Sequence, residues 1–396
     1  MLLLANEKII TIFERTLNLV DNRLLDHGKR VAHRVFKKLH PLASYSNKEL
    51  RDICVLALLH DIGAYKTEDI SNIIYFDAKY IWGHSIYGYH FIKHFSPLKQ
   101  LAPILLFHHA KPHQMYALSA EHRYLSLLIK ECDKEDIEQC VTAGYNCATE
   151  CDKDIEYYEL FNKTPFSKEE IEAYIRMIVF CIDFRSPQTM LHTFAASFVA
   201  ESLAVLAGVT GEEVEHVRTG AMLHDIGKMG TPLHILESTS YKLSRPNMEI
   251  MRNHIIHSRE VLYGCVSDEI FDIAVNHHER LTGKGYPRRL VGDQIPFLDR
   301  IVAVADVFSA LCVSRSYQEA KPKDETVEIL QNMKDQKLLD PTVLDLAITK
   351  YDELTEKLHT SSLPVIKAYE EINSEIRWLN DKIKKGDFEY RTAEGQ

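Results

Sequence analysis

The chain has 396 residues, 45% hydrophobic and 26% charged, the balance of a soluble globular protein with length enough for two domains. Its net charge of −10 excludes a broad polyanion-binding face, since a nucleic-acid binder shows a basic footprint. No apolar run approaches the roughly 20 residues of a membrane span, and MLLLANEKIITIFERTLN lacks a basic n-region and a cleavage site. We therefore expect a cytoplasmic protein with no membrane or nucleic-acid-polymer partner. The eight cysteines form no CxxC pair, which fits reduced thiols. The unusual number is 20 histidines, frequent metal ligands and acid–base groups.

Apolar residues at helical spacing run almost from end to end and strand signals are scarce, so the expected fold is all-α. In chain order, residues 1–150 read as a first helical unit. His27 opens HGKRVAHRVF, LHDIG holds His60 and Asp61, His84 lies in GHSIYGYHF, His108 and His109 in LLFHHAK, and Asp133 in LLIKECD. Residues 151–168 are more polar and less periodic and read as a linker with room for one short helix. Residues 169–396 form a second unit and trailing C-terminal helices. There His192 opens a helix, LHDIG recurs with His224 and Asp225, and His254 lies in MRNHIIHSREVL. His277 and His278 come next, and Asp306 lies in VAVADVF.

Residue types and order match between the units, with gaps of 33, 24, 24 and 24 residues in the first and 32, 30, 23 and 28 in the second. Chance does not readily give seven matches in order; the pattern is a duplication. In the second unit Val214, Val217, Ala221, His224 and Asp225 share one helical face. Ile270, Ile273, Ala274, His277 and His278 share another. His192 and His254 continue apolar faces, and Asp306 stands one turn after Val302. Five histidines and two aspartates thus point into one core, where burial without partners is expensive. A lone inward histidine is usually a hydrogen-bonded core residue, but seven such residues need a common explanation. Divalent transition metal supplies one, since imidazole with carboxylate suits Fe, Mn, Ni or Zn better than Ca or Mg. The donors outnumber what one ion needs, so two ions are expected, with Asp225 as the natural bridge.

HD followed by NHHERLTGKGYP resembles the HD-GYP phosphodiesterases, a branch of the HD metal-dependent phosphohydrolases. The resemblance runs from about 185 to 345 and includes AVADVF and LLDP at 338–341. It implies two tandem HD-type helical bundles, the second an intact HD-GYP domain with a bi- or trinuclear metal centre that hydrolyses cyclic dinucleotides. Carried over by position, the metal ligands are His192, His224, Asp225, His254, His277, His278 and Asp306. Asp225 and Lys228 are the catalytic pair, with Lys228 on the scissile phosphate. Tyr286 and the loop around it, with Arg315, hold the dinucleotide, and Arg280 and Lys284 add positive charge nearby.

Two departures matter. Gln188 stands where some members place a glutamate that holds a third metal, which favours a two-metal site of Fe, Mn or Ni. RSYQ, ending in Gln318, replaces RPYR or RPYK and so removes a cation. The tandem layout is similar to the bacterial phosphodiesterases that degrade 3′,3′-cyclic GMP-AMP, so that dinucleotide is the expected substrate, opened to a linear 5′-phosphorylated product. The rivals are a cyclic di-GMP phosphodiesterase, a non-catalytic cyclic-dinucleotide receptor, and another enzyme on the same metal scaffold.

In the first unit, His27, His60, Asp61, His84, His108, His109 and Asp133 make a second candidate metal set. Ala64 occupies the place of Lys228, however, and HHAKPHQMYALS replaces the GYP loop. That unit is expected to be regulatory or structural and to pack on the second.

Overall fold

The structure is a computed structural model that describes residues 6–19, 25–64, 81–143, 154–185, 191–238, 243–313 and 321–385. The chain divides into two compact units, the first made of Ala5–Cys181 with Ala368–Gln396, the second of Ile182–Lys367 with Met1–Leu4. The helices begin with α1 (Asn6–Asn18), α2 (His27–Leu39), α3 (Asn47–Leu58), α4 (Ile81–Phe95) and α5 (Ala102–Phe107). Then come α6 (Ala120–Thr142), α7 (Ile155–Lys163) and α8 (Lys168–Arg185). Further along are α9 (His192–Leu206), α10 (Glu212–Leu223), α11 (Arg245–Arg252), α12 (His254–Leu262) and α13 (Asp268–Asn276). The last four are α14 (Phe297–Cys312), α15 (Lys323–Asp335), α16 (Pro341–Thr349) and α17 (Tyr351–Lys384). Among the described residues the only β pairing is an isolated antiparallel bridge from Thr282 to Val291. The all-α expectation holds.

Local chemistry sets the helix starts. Ser46 and Glu49 close a capping box at α3, the Ser46 Oγ accepting from Glu49 N and the Glu49 carboxylate from Ser46 N. Ser267 caps α13 by accepting from Ile270 N. The LLDP motif is an N-terminal stop of the same kind. Asp340 accepts from Thr342 N (2.9 Å) and Val343 N (3.2 Å), and Pro341 takes the first helical position.

In the second unit α9, α10, α14 and α16 close around Val199, Leu203, Val217, Ile301, Phe308 and Leu344, all buried. Each such side chain contributes about 1.5–3 kcal/mol when taken from water. This apolar floor lies beneath the helix ends that carry the histidines.

The unit boundary falls between residues 181 and 182, beyond the expected linker at 151–168. Residues 155–163 are the short helix that the polar stretch allowed, and residues 144–153 lie outside the described ones. Tyr157 packs edge-on to Phe36 (5.4 Å), and Tyr174 to Phe13 (5.3 Å) and Phe166 (5.5 Å). The buried Arg51 guanidinium lies 4.3 Å from the Phe166 ring and donates to Thr164 O and Pro165 O. These contacts bind α7 and most of α8 into the first unit. Among the described residues Cys54, Cys132, Cys181, Cys265 and Cys312 are free.

Candidate metal centre

Six of the seven expected donors of the second unit stand at helix ends, and the seventh, Asp306, lies in mid-helix. His192 opens α9, His224 and Asp225 follow the last residue of α10, His254 opens α12, His277 and His278 follow α13, and Asp306 lies within α14. The glycine of LHDIG is required by packing. A Cβ on Gly227 would sit 2.0 Å from His254 O and 2.5 Å from Ser258 N, so only glycine lets this turn reach α12. Ser258 then joins the two, accepting from Gly227 N (2.9 Å) and donating to His224 O (3.2 Å). From α8, Arg185 donates to Lys228 O (3.0 Å) and Met229 O.

The donors fall into two groups, His192 with His224 and Asp306, and His254 with His277 and His278; within each, one ligand atom per residue lies within 4.8 Å of the others. Asp225 stands between them. Its Oδ2 is 3.1 Å from His224 Nε2 and 3.8 Å from His192 Nε2, while its Oδ1 is 3.5 Å from His254 Nε2. Asp306 faces His192 Nε2 through Oδ1 (3.0 Å) and His278 Nδ1 through Oδ2 (3.8 Å).

The tautomers are fixed from behind. His224, His254 and His277 each present Nδ1 to a backbone oxygen, of Ala221 (2.6 Å), Met251 (2.6 Å) and Ala274 (2.8 Å). An Nδ1–H donates there, so each Nε2 turns a bare lone pair towards the centre. Ser309 Oγ donates to Asp306 O (2.9 Å) and lies 3.4 Å from His192 Nδ1, giving His192 the same orientation. The Nε2 atoms of His224, His254 and His277 and Oδ1 of Asp225 are buried without a hydrogen bond. Lone pairs facing lone pairs in a buried site are costly, and a cation between them removes the cost. These residues fit a divalent metal pair.

Protonation agrees. Burial pushes His254 down to about 4 and holds His277 and His278 well below the usual imidazole range. At His224 burial acts in the same direction, but Asp225 and Asp306 outweigh it and raise the pKa. Burial opposes charge on Asp225 and Asp306, yet His224 with Lys228, and His192 with His278, hold those carboxyls well below 3.8. Ionised carboxylates among mostly neutral imidazoles are the state metal ligation requires. Lys228 Nζ sits 2.5 Å from Asp225 Oδ2.

The loop after the paired histidines is folded back on its own start. A Cβ on Gly285 would lie 2.4 Å from Arg280 N and 2.6 Å from His278 O. The Tyr286 ring tilts against His278 (4.8 Å between centroids), with the Arg252 guanidinium 5.0 Å from its centre. Arg280, expected near substrate, sends Nη1 to His277 O (3.1 Å) and Glu279 O (2.8 Å), which braces the turn. Lys284 is exposed; Arg315, with Gln188 and Gln318, lies outside the described residues. Glu279, which sequence reasoning passed over, is the loop's anchor. Only 1% exposed, it accepts from the backbone N–H groups of Arg288 (2.7 Å), Arg289 (3.1 Å) and Leu290 (3.0 Å).

Beneath this loop Asn276 Nδ2 donates to Asp299 Oδ2 (2.7 Å), and burial pushes that carboxyl up to about 7. The unfolded chain ionises it near 4, so between about pH 4 and pH 7 the folded state holds a proton that the unfolded state has lost. Folding stability therefore falls across that window and levels off above it. Asp299→Asn keeps an acceptor for Asn276 and cannot ionise. In chelator, its thermal midpoint is expected to fall less between pH 5 and 7.5 than the wild type's, by the equivalent of about 3 kcal/mol. Parallel pH profiles for the two proteins would refute this.

The first unit repeats the arrangement. Asp61, His84, His108 and His109 form one group and His27, His60 and Asp133 another. Asp61 lies between, with Oδ2 3.5 Å from His60 Nε2 and Oδ1 3.4 Å from His84 Nε2. A Cβ on Gly63 would meet His84 O at 1.9 Å, the same constraint as at Gly227. Two differences stand out. Buried Ala64 offers no cation, and Asp136 takes the position of Ser309, accepting from His27 Nδ1 (2.9 Å) and pairing with Arg30. Asp133 and Asp136 overcome the effect of burial and raise His27 to about 10.

Residues 176–343 match the HD domain family, a family of metal-dependent phosphohydrolases, in line with the resemblance. The chain is 24% identical over 375 residues to the 3′3′-cGAMP-specific phosphodiesterase 1 of Vibrio cholerae, spanning 82% of this chain and 86% of that protein. It is 31% identical to the 3′3′-cGAMP-specific phosphodiesterase 2 of the same organism, over 50% of this chain and 38% of that one. To the cyclic di-GMP phosphodiesterase response regulator RpfG of Xanthomonas campestris it is 38% identical, over 41% of this chain and 44% of that one. The last two relatives are thus more than twice as long as the stretch they share with this chain. A solved structure of a cyclic GMP-AMP phosphodiesterase of Vibrio cholerae superposes with a TM-score of 0.51 at 17% identity, covering 87% of this chain and 98% of that one. That likeness supports the fold.

Proposed function

We propose that the chain is a metal-dependent phosphodiesterase that opens a cyclic dinucleotide, with 3′,3′-cyclic GMP-AMP preferred, and that the second unit does the chemistry. The carrying observation is the pair of donor groups joined by Asp225, with Lys228 on the joining carboxylate. Two divalent ions, iron, manganese or nickel, held by His192, His224, Asp225, His254, His277, His278 and Asp306 would supply a water of lowered pKa and a clamp on phosphate oxygens. Lys228, freed from Asp225, neutralises charge developing on the phosphate. Tyr286, with His278 tilted against its ring and Arg252 over it, would hold the dinucleotide beside the metals, and the exposed Lys284 would add positive charge nearby. Arg280 holds this loop in shape. The product is a linear 5′-phosphorylated dinucleotide.

The substrate preference is supported by the likeness to the Vibrio phosphodiesterase 1, which spans both units, and by the cation lost at Gln318. Cyclic di-GMP is the second reading, favoured by the likeness to RpfG over 41% of this chain. The first unit, with its own seven donors and no lysine at position 64, is inferred to take metal without catalysing.

Incubation of the manganese- or ferrous-loaded protein with each dinucleotide, followed by chromatography, tests this. Linear product is expected to form faster from cyclic GMP-AMP. Lys228→Met should keep its ions and lose about 10²–10³-fold in kcat. Bound metal with no turnover of either dinucleotide would overturn the enzyme and leave a receptor.

A further inference from the structure

A third group of donors lies in the first unit, outside both seven-residue sets: His90 and His94 on α4, and Glu375 on the C-terminal part of α17. We propose that these three residues form a separate transition-metal site, of the zinc type, that ties the C-terminal stretch of the chain to α4.

His90 and His94 are four residues apart on one helix and so share a face, with ring centroids 5.8 Å apart and planes 28° from parallel. Glu375 comes to the same face from 281 residues beyond His94, its Oε2 3.4 Å from His90 Nδ1. One ligand atom from each residue lies within 4.8 Å of the other two. His90 is 0% exposed, and neither of its ring nitrogens makes a hydrogen bond; nor does Nε2 of His94. An imidazole so placed leaves a buried donor and a buried acceptor unsatisfied. Two histidines and a carboxylate are a zinc donor set, with a fourth position left to water. Glu375 is partly exposed, which gives an ion a path from solvent.

Lys93 is the competitor. Its Nζ lies 3.1 Å from Glu375 Oε2 and 3.3 Å from Oε1, which neutralises the carboxylate but gives the imidazole lone pairs nothing. The duplication does not account for the group. Its positions, six and ten residues after His84, correspond in the second unit to Glu260 and Gly264 after His254.

The test uses the full chain, stripped by chelator and titrated with zinc, with bound ions counted by atomic spectrometry and the thermal midpoint followed. Glu375→Gln and His94→Gln are each expected to bind one ion per chain fewer than wild type and to lose part of the zinc-dependent rise in midpoint. Dinucleotide turnover should stay unchanged. Lys93→Met, which removes the competing cation, should bind that ion more tightly. Glu375→Gln is the mild variant, altering one partly exposed group, so a folding defect in His94→Gln leaves the question decidable. Wild-type ion counts in both glutamine variants, or no effect of Lys93→Met on zinc binding, would overturn the site.

Discussion

Asp225→Asn is expected to abolish turnover, by more than about 10⁴-fold, and to strip the second unit of both ions. An amide offers one oxygen and an N–H₂, so it cannot give one oxygen to each donor group as Asp225 does with Oδ1 towards His254 and Oδ2 towards His192 and His224. The loss in rate would follow from losing the ions, which would supply a water of lowered pKa. The fold should survive. The side chains match in shape, and the Gly227–Ser258 contact that sets the turn involves neither. In chelator the variant should melt below wild type, because Asp225 is held ionised by His224 and Lys228 and its neutralisation leaves Lys228 without its carboxylate. Asp61→Asn is the matched control: it should lower the ion count of the first unit and leave kcat unchanged. Ion counting and initial rates decide both. Two ions retained in Asp225→Asn would show that the carboxylate does not bridge.

Much of this site was legible because its physics is local. A histidine or aspartate that continues the apolar face of a helix must point inward, and a recurring LHDIG marks a turn whose glycine has no room for a side chain. At Gly227 and Gly63 the neighbour is the backbone oxygen of the next candidate ligand histidine, His254 and His84, so motif and ligand spacing have one cause. The missing parts depend on tertiary partners. Glu279 looks like a solvated acid in a polar loop until the backbone of residues 288–290 curls around it. Ser309 and Asp136 both stand three residues after a ligand aspartate, and only the structure shows that they meet the first histidine of each set.

The unit boundary was hidden for the same reason. The polar stretch near 151–168 conceals Tyr157 and Phe161, which face inward four residues apart. The return of residues 368–396 to the first unit has no local signature at all. His94 and Glu375 went unread because neither extends an apolar pattern and they are 281 residues apart.

Glu279→Gln separates the two jobs that the stretch after the paired histidines performs. The carboxylate takes the N–H groups of Arg288 and Arg289 on Oε1 and that of Leu290 on Oε2. Glutamine keeps the first oxygen but turns an N–H₂ towards Leu290 N, donor against donor, at roughly 1–3 kcal/mol. Arg289 is held at φ 56°, a left-handed conformation that costs a non-glycine residue about 1–2 kcal/mol and that this carboxylate helps to maintain. Losing the anchor should let the loop relax and carry Tyr286 with it, since Tyr286 N is held to His278 O by a single 3.3 Å bond. The expected result is a KM for dinucleotide raised about tenfold or more, with the ion count and the thermal behaviour of the loaded site close to wild type. Glu279→Ala, which orphans all three N–H groups, should shift KM further. If ions are lost in step with activity, the loop's main task is to support His277 and His278. Unchanged ions with a higher KM would place the histidines on metal and the loop on substrate.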